Sequence, residues 1–150
     1  MVLTKRLMRE LQEMKTKPLP PGITLVQADS LEEMHFHLEV PNPLYAGKVF
    51  RVRLRFVGSY PLEAPETVFV TTGGYEAPMM GHIYENGHIC ASILGTEWSP
   101  VLNAQSVLIT LQSMLASSKK LERPPDNARY CRSAPQSPKD TRWVYHDNNV

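Results

Sequence analysis

Prolines fix where regular structure must end in this 150-residue chain, which contains 13 of them. They cluster at residues 18–21, 41–43, 61–65, 124–125 and 135–138. Proline lacks the backbone N–H that a helix or a central strand needs, and it disfavours helical geometry in the residue before it. Long helices are therefore excluded after Lys120, and the main elements must lie between the earlier clusters.

Apolar side chains recur every three or four positions over residues 2–16, which predicts an amphipathic helix with one apolar stripe. The stripe consists of Leu3, Leu7, Leu11 and Met14. A second helix is predicted over residues 104–117, with Asn103 as its cap. Its stripe is broader and includes Ile109, so we expect this helix to be central.

The segments between these helices include four predicted strands, at residues 23–28, 34–40, 48–57 and 67–70. In the third strand large apolar side chains alternate with arginines, so one face is apolar and the other is basic. The basic face carries Arg51, Arg53 and Arg55, and His35 and His37 are predicted to share it. Because the strands are grouped rather than alternating with helices, the fold class is predicted to be α+β, with an antiparallel meander.

The composition excludes several classes of protein. A formal net charge of +1 argues against a dedicated nucleic-acid binder, and no apolar run approaches the length of a membrane span. The charged N-terminus lacks the apolar core of a signal peptide, and only two cysteines occur, Cys90 and Cys131. A reducing cytoplasmic or nuclear location is therefore expected. No metal site is expected on His35 and His37, since a third ligand is not apparent.

Residues 71–102 contain several glycines and no sustained periodicity, which predicts a long irregular segment around Cys90. A lone thiol after a glycine turn, with His82 and His88 nearby, is a candidate nucleophile, because a thiolate needs a polar and partly exposed setting. The alternative is a small buried hydrophobe in a core strand, where free cysteine is common. The spacing alone leaves both open.

Short motifs follow one another in a fixed order along nearly the whole chain. They are Lys5-Arg6-Leu7 with Glu10-Leu11, Pro20-Pro21-Gly22, Tyr60-Pro61 with Pro65, Tyr84-x-x-Gly87-His88-Ile89-Cys90, Trp98-Ser99-Pro100, and Pro124-Pro125-Asp126-Asn127. In this order and spacing the chain resembles the ubiquitin-conjugating enzymes. The resemblance implies their α+β fold, with an active-site loop before the central helix. Residues 1–123 would be the catalytic core, and 124–150 an atypical, irregular C-terminal tail of the same domain.

Two details resemble the W-type branch of that family, whose members transfer ubiquitin to the α-amino groups of N-termini. His82 stands eight residues before Cys90, where most of the family has the asparagine of a His-Pro-Asn triplet. Residues 143–147 replace the usual C-terminal helices. Met80 and Gly81 depart from this branch too, which keeps the His-Pro pair, so the turn that supports the site is expected to be built differently.

The resemblance implies that Cys90 forms a thioester with the C-terminus of ubiquitin. When an amine attacks that thioester, the developing oxyanion needs a hydrogen-bond donor, for which His82 or a nearby backbone N–H is the candidate. The alternative for His82 is a purely structural role in a turn. His88 is a further candidate, which would lower the pKa of the thiol, with packing as its alternative.

The family often carries an acidic group after the second helix that desolvates or orients the incoming amine. Asp126 and Asn127 are the candidates in this chain. Glu122 is a rival, and a simple turn role after two prolines is the alternative for Asp126.

The resemblance also implies partners, namely ubiquitin, its activating enzyme, a RING or U-box ligase, and protein substrates with accessible N-termini. The candidate contact residues are Lys5, Arg6 and Arg9 on the first helix and Leu62, Pro100 and Val101 in two loops. Ordinary helix solubility is the alternative for the three cations. Neither nucleic acid nor membrane is expected as a partner, and no cofactor is expected because the activating enzyme uses the ATP.

Two other functions stay open at this level. The same fold could be charged with a different ubiquitin-like protein, or it could be a catalytically inert binding module. Cys90 argues against inertness, because inactive relatives lack the nucleophile, whereas the altered residues Met80 and Gly81 argue mildly for it. The basic outer face of the sheet is expected to be solvated, with a weak noncovalent ubiquitin site as the alternative.

Overall fold

The computed structural model describes residues 2–145, with side chains from Thr4 onward, so the side chain of Leu3 and residues 146–147 lie outside the described part. The helices are α1 (Val2–Thr16), α2 (Ala104–Ala116) and α3 (Asn127–Ser133), and the strands are β1 (Ile23–Ser30), β2 (Glu33–Leu38), β3 (Phe50–Arg55) and β4 (Glu66–Phe69). Single 3-10 turns lie at Pro43–Tyr45, Ser92–Leu94 and Pro138–Asp140. The predicted α+β order is confirmed, and the structure adds α3 to a segment predicted to be irregular.

The four strands form one antiparallel sheet in chain order, as the meander predicts. The inner face is apolar, and its side chains from β2 and β3 are almost wholly buried. They are Met34, Phe36, Leu38, Phe50, Val52 and Leu54. Side chains of α1 and α2 complete the same hydrophobic core, which places the sheet and both long helices in one body.

The outer face of the sheet carries a hydrogen-bonded polar network, and the register of β2 with β3 confirms that the histidines and arginines share it. Arg51 Nε donates to His35 Nδ1 at 2.8 Å, and His35 Nε2 lies 3.0 Å from a carboxylate oxygen of Glu33. His37 Nε2 lies 2.8 Å from the hydroxyl of Tyr75. Both histidines therefore have partners within the fold.

Helix α2 begins with the predicted cap. The Asn103 side chain accepts from the Ser106 N–H at 2.9 Å, and the Ser106 hydroxyl accepts from the Asn103 N–H, which forms a capping box. The expectation for Ile109 is wrong, because this side chain is 42% exposed while the helix buries its other stripe residues. No helix in the described part of the chain is long and apolar enough to cross a membrane.

The buried carboxylate of Glu10 joins three parts of the fold, and the residue is only 7% exposed. Its Oε1 accepts from the Ala104 N–H at 2.9 Å, and its Oε2 accepts from Arg6 Nε at 3.0 Å and from the Tyr60 hydroxyl at 2.5 Å. Burial and the hydrogen bond to Glu10 raise the pKa of Tyr60, so the phenol stays protonated and donates. One side chain thus holds α1, the loop after β3 and the start of α2.

Two further side chains fix the loops on either side of this junction. The Arg6 guanidinium donates to the carbonyl oxygen of Pro100 at 3.0 Å and to that of Leu102. The Trp98 indole N–H donates to the carbonyl oxygen of Pro61 at 2.9 Å. The loop after β3 and the loop before α2 are therefore tied to each other and to α1.

Replacing Glu10 by glutamine is expected to lower the free energy of unfolding by about 2–3 kcal/mol, because hydrogen bonds to a buried charge are lost while their donors stay buried. Denaturant unfolding followed by circular dichroism measures this loss. Glu76→Gln is the matched control, since Glu76 is exposed and pairs with Lys48 at 2.8 Å. Its expected loss is below about 0.5 kcal/mol. Equal losses in the two variants would contradict the role of Glu10.

Candidate active site

The backbone places Cys90 beside His82. Ile83 and Ile89 form an antiparallel bridge, and the Cys90 N–H donates to the carbonyl oxygen of His82 at 2.8 Å. Gly87 makes the turn between them with φ of 92°, and a β-carbon there would collide with the carbonyl oxygen of Phe69. Only glycine fits both requirements, so this turn is fixed against the end of β4.

The turn before His82 is built from Met80 and Gly81. The Ile83 N–H donates to the Met80 carbonyl oxygen at 3.0 Å, and the His82 N–H lies 3.2 Å from the Met80 sulfur. A β-carbon on Gly81 would lie 3.1 Å from an oxygen of Glu122. Gly81 therefore leaves room for the carboxylate of Glu122, which a larger residue at position 81 would crowd.

The thiol of Cys90 is half-buried and lines a cavity of about 560 Å³. His82 and Asp126 line the same cavity. The Cys90 thiol donates to the carbonyl oxygen of Val144 at 3.8 Å. Burial, together with the charge of Asp126, raises the pKa of Cys90 to about 11. This direction is opposite to the lowering expected from His88.

His88 is buried at 6% exposure and packs away from solvent. Its Nδ1 lies 2.7 Å from the hydroxyl of Tyr130, and a further hydrogen bond joins the ring to the backbone of Gln136. Desolvation lowers the pKa of His88, so the ring is neutral at physiological pH. A neutral ring held in this way cannot act as the cation that lowers the pKa of the thiol, and the packing alternative describes its position better.

The segment after α3 folds back over the cavity. The Trp143 ring lies 5.5 Å from Tyr130 and 5.9 Å from Tyr84, measured between centroids, and those two tyrosines are 4.1 Å apart. The Trp143 indole N–H donates to the carbonyl oxygen of Pro138 at 3.1 Å. The sequence missed this stack because its members come from three separate segments. Aromatic residues in a proline-rich stretch were the only available signal.

The two candidates that follow the second helix separate in space. Asp126 accepts from the Tyr84 hydroxyl at 2.8 Å and faces the cavity of Cys90. Asn127 accepts from the Glu85 N–H at 2.9 Å and lines a different cavity, of about 370 Å³. Asn127 therefore has a structural role, because it ties the start of α3 to the backbone of Glu85.

The rival carboxylate, Glu122, lies in a third cavity of about 360 Å³, which also contains His82 but not Cys90. Its side chain is 45% exposed and pairs with Lys120 at 3.1 Å. Of the two acidic candidates, Asp126 is therefore the one that shares a cavity with the thiol.

The candidate partner-binding residues lie at the surface, with one exception. Leu62 is 77% exposed and Val101 is 86% exposed, which is unusual for large apolar side chains. Pro100, Lys5 and Arg9 are also exposed. The exception is Arg6, whose guanidinium donates to Glu10, Pro100 and Leu102. It therefore orders the loop before α2 instead of presenting a free charge.

No group of three or more histidine, cysteine, aspartate or glutamate residues able to hold a metal ion occurs among the described residues.

The lowered pKa of His88 predicts a pH dependence of stability. Above about pH 6.5, the ordinary value for histidine, the ring is neutral in both folded and unfolded chains. Below that value the unfolded chain binds a proton that the folded one does not, so the free energy of unfolding falls as the pH falls. Urea unfolding at about pH 7.5 and about pH 5.5 measures the slope. His88→Asn is expected to reduce it, and an unchanged slope would contradict the assignment.

Known proteins are similar to this chain over most of its length. The family model described as ubiquitin-conjugating enzyme matches residues 6–143. A Dictyostelium discoideum protein, a probable ubiquitin-conjugating enzyme E2 W, is 39% identical over 148 residues, which cover 97% of this chain and 96% of the relative. The ubiquitin-conjugating enzyme E2 W of Caenorhabditis elegans is 40% identical over 151 residues, covering 98% of this chain and 97% of that protein.

A solved structure is also similar to this fold. The crystal structure of the ubiquitin-conjugating enzyme E2 UbcA1 from Agrocybe aegerita matches with a TM-score of 0.87 and 52% sequence identity. The match covers 89% of this chain and 96% of that one.

Proposed function

Since this chain belongs to the ubiquitin-conjugating enzyme family, a family of transferases that work through a cysteine thioester, we propose that Cys90 carries ubiquitin and passes it to the α-amino group of substrate N-termini. One observation carries the proposal, namely that a thiol, an imidazole and a carboxylate line one cavity at Cys90, His82 and Asp126. The second thiol, Cys131, lies 3.6 Å from the side-chain oxygen of Asn127, on the structural side of α3.

Loading is a thioester exchange. The Cys90 thiol loses its proton, and its sulfur attacks the C-terminal carbonyl carbon of ubiquitin held on the activating enzyme. The bond to the activating enzyme's sulfur breaks, and that sulfur leaves as a thiol after it takes up a proton. The exchange is nearly balanced in bond energy, so this chain needs no cofactor, and the ATP is used by the activating enzyme.

Transfer requires a neutral amine, and the choice of amine follows from its pKa. At pH 7 roughly a tenth of a peptide α-amine is neutral, against a few in ten thousand of a lysine, because their pKa values are about 7.7–8.0 and about 10.4. A site without a strong amine-activating group can therefore still act on N-termini. The absence of the usual asparagine at His82 supports this choice of substrate.

Each polar group of the cavity has a step to perform. Asp126, oriented by the Tyr84 hydroxyl at 2.8 Å, accepts a hydrogen bond from the neutral α-amine and takes up the proton that the nitrogen loses after it attacks the thioester carbonyl carbon. The tetrahedral intermediate carries a negative oxygen, to which His82 or a neighbouring backbone N–H donates. Collapse of the intermediate breaks the C–S bond, and the sulfur takes up the proton that Asp126 accepted. The thiol of Cys90 is thereby restored, and ubiquitin is left joined to the substrate by an amide bond.

The exposed apolar side chains near α1 suit a ligase. Leu62 and Val101 project from two loops that the Glu10 junction holds together, and Lys5 and Arg9 add positive charge on α1. A RING or U-box ligase docking there would contact side chains that the fold leaves exposed.

One specific observation favours a second candidate, a catalytically impaired ubiquitin-binding module of the same fold. The raised pKa of Cys90 makes its thiolate scarce in this conformation. The residues Met80 and Gly81, which stand in place of the His-Pro pair, are consistent with this candidate. A conjugating enzyme for another ubiquitin-like protein is distinguished from both by the protein it accepts.

The loading assay decides between these candidates. With ubiquitin, activating enzyme and ATP, the chain is expected to form an adduct that a thiol reductant releases. Cys90→Ser is expected to give at most a reductant-resistant oxyester, while Cys131→Ser, the matched control, loads like the unmodified chain. No adduct on the unmodified chain, in a reaction where another conjugating enzyme loads, would leave the inert module as the answer. Loading with a different ubiquitin-like protein alone would identify the third candidate.

Discharge onto peptides tests the proposed substrate. A loaded chain is expected to transfer ubiquitin to a lysine-free peptide with a free N-terminus and not to its acetylated form. Asp126→Asn is expected to slow this discharge about tenfold without affecting loading, because a proton acceptor is lost. Asp140→Asn, on an exposed 3-10 turn, is the matched control.

The same assay examines His82. Loss of an oxyanion donor lowers a transfer rate by about two to three orders of magnitude, so His82→Ala is expected to load normally and to discharge slowly. His37→Ala, on the outer sheet face, is the control variant. Undiminished discharge from His82→Ala would leave the donor role to the backbone.

For the choice of substrate, equal discharge onto an acetylated peptide that carries a lysine would contradict the α-amine preference.

A further inference from the structure

We propose that His88 is a positioning residue. It acts through residues 141–145, the C-terminal strap, and a chain of hydrogen bonds from His88 holds this strap next to Cys90. The proposed role of Cys90 gives this inference its meaning for the reaction. The position of the strap, however, can be measured by chemistry that needs no ubiquitin.

The hydrogen-bond chain runs from the buried ring to the strap in two steps. His88 Nδ1 lies 2.7 Å from the Tyr130 hydroxyl, and that hydroxyl lies 2.7 Å from the hydroxyl of Thr141. Burial raises the pKa of Tyr130, so its phenol stays protonated and is able to donate. With Thr141 as the donor to the phenol oxygen, Tyr130 donates to Nδ1, and the imidazole also bonds the backbone of Gln136.

A neutral histidine meets the demands of this position. The site needs one acceptor, for the Tyr130 hydroxyl, and one donor, for the backbone at Gln136. A neutral imidazole supplies one of each on opposite sides of a rigid ring. With 6% of His88 exposed, water cannot replace a lost partner cheaply, so each link of the chain orients the next.

The strap that begins at Thr141 lines the cavity of Cys90 and contacts its sulfur. Trp143 stacks on the tyrosines of the cavity, and the Val144 carbonyl oxygen accepts from the Cys90 thiol at 3.8 Å. Tyr145 then lies so close to Gly95 that a β-carbon at Gly95 would collide with its hydroxyl. The strap is thus held by Thr141 and Trp143 on one side of its contact with the sulfur and by Tyr145 on the other.

The consequence concerns the access of reagents and substrates to Cys90. The Val144 carbonyl oxygen occupies one side of the sulfur, so a well-anchored strap restricts the approach of a reagent and slows attack at this thiol. The same anchoring defines the wall of the cavity against which an incoming peptide lies. His88 therefore sets the accessibility of the nucleophile from a buried position, without touching the reacting atoms.

The test measures alkylation of Cys90 by iodoacetamide, followed by intact mass, in a Cys131→Ser background. His88→Ala, Tyr130→Phe and Thr141→Val are each expected to raise the rate about fivefold, the factor that one typical hydrogen bond gives to an equilibrium. His88→Asn is expected to restore a slower rate, because its side-chain oxygen offers an acceptor near the position of Nδ1. Ser133→Ala, at the exposed end of α3, is the control.

A double-mutant cycle separates positioning from general loosening. If the residues form one chain, His88→Ala combined with Thr141→Val is expected to alkylate no faster than either single variant. Rates within twofold of the unmodified chain in Tyr130→Phe and Thr141→Val would overturn the proposal, and so would rates that multiply in the double variant. These two single variants decide the outcome even if His88→Ala does not fold. Failure of ubiquitin loading with slow alkylation retained would count against the proposed function alone.

Discussion

A single buried carboxylate joins α1, the loop after β3 and the start of α2. Glu10 accepts hydrogen bonds from α1, from the loop after β3 and from the first turn of α2. Because a buried charge without partners is very costly, these three elements can move only together. The loops that expose Leu62 and Val101 are therefore held rigid from beneath, although their tips are among the most exposed apolar side chains of the fold. The surface that we propose for a ligase is thus ordered by hydrogen bonds in the interior.

Cys90 lies in the segment between β4 and α2, and the interactions that govern it differ from those of Glu10. Its backbone is fixed by the Gly87 turn against β4, whereas its sulfur is covered by a segment far along the chain. Burial raises the pKa of Cys90, so a free and reactive thiolate is scarce in this conformation. A thiol of this kind is protected from indiscriminate chemistry and becomes reactive when its cover is displaced. The two histidines contribute differently, since His82 lines the cavity and His88 is enclosed behind it.

The sequence predicted those features that depend on local patterns. The alternation in β3 and the cap at Asn103 were legible because strand and helix periods act over a few residues. The prediction that Ile109 is buried was wrong, because the sequence shows which side chains of a helix are apolar but not how much of the helix surface its neighbours cover. The short helix α3 was missed because seven residues between prolines carry little periodic signal.

The site itself was only partly predictable. The family resemblance implied roles for Cys90, His82 and Asp126, and the structure places all three in the lining of one cavity. The direction of the pKa change at the thiol depends on its burial in the folded chain, where its sulfur contacts Val144, 54 residues away. The pairing of His88 with Tyr130 is also long-range, at 42 residues.

Gly95 shows how closely the loop after the cysteine is fitted to the end of the strap. Its missing side chain makes room for the hydroxyl of Tyr145, so a β-carbon at Gly95 would force the tyrosine ring, fifty residues downstream, to shift. Shortening Tyr145 should therefore suppress the effect of a bulkier residue at Gly95.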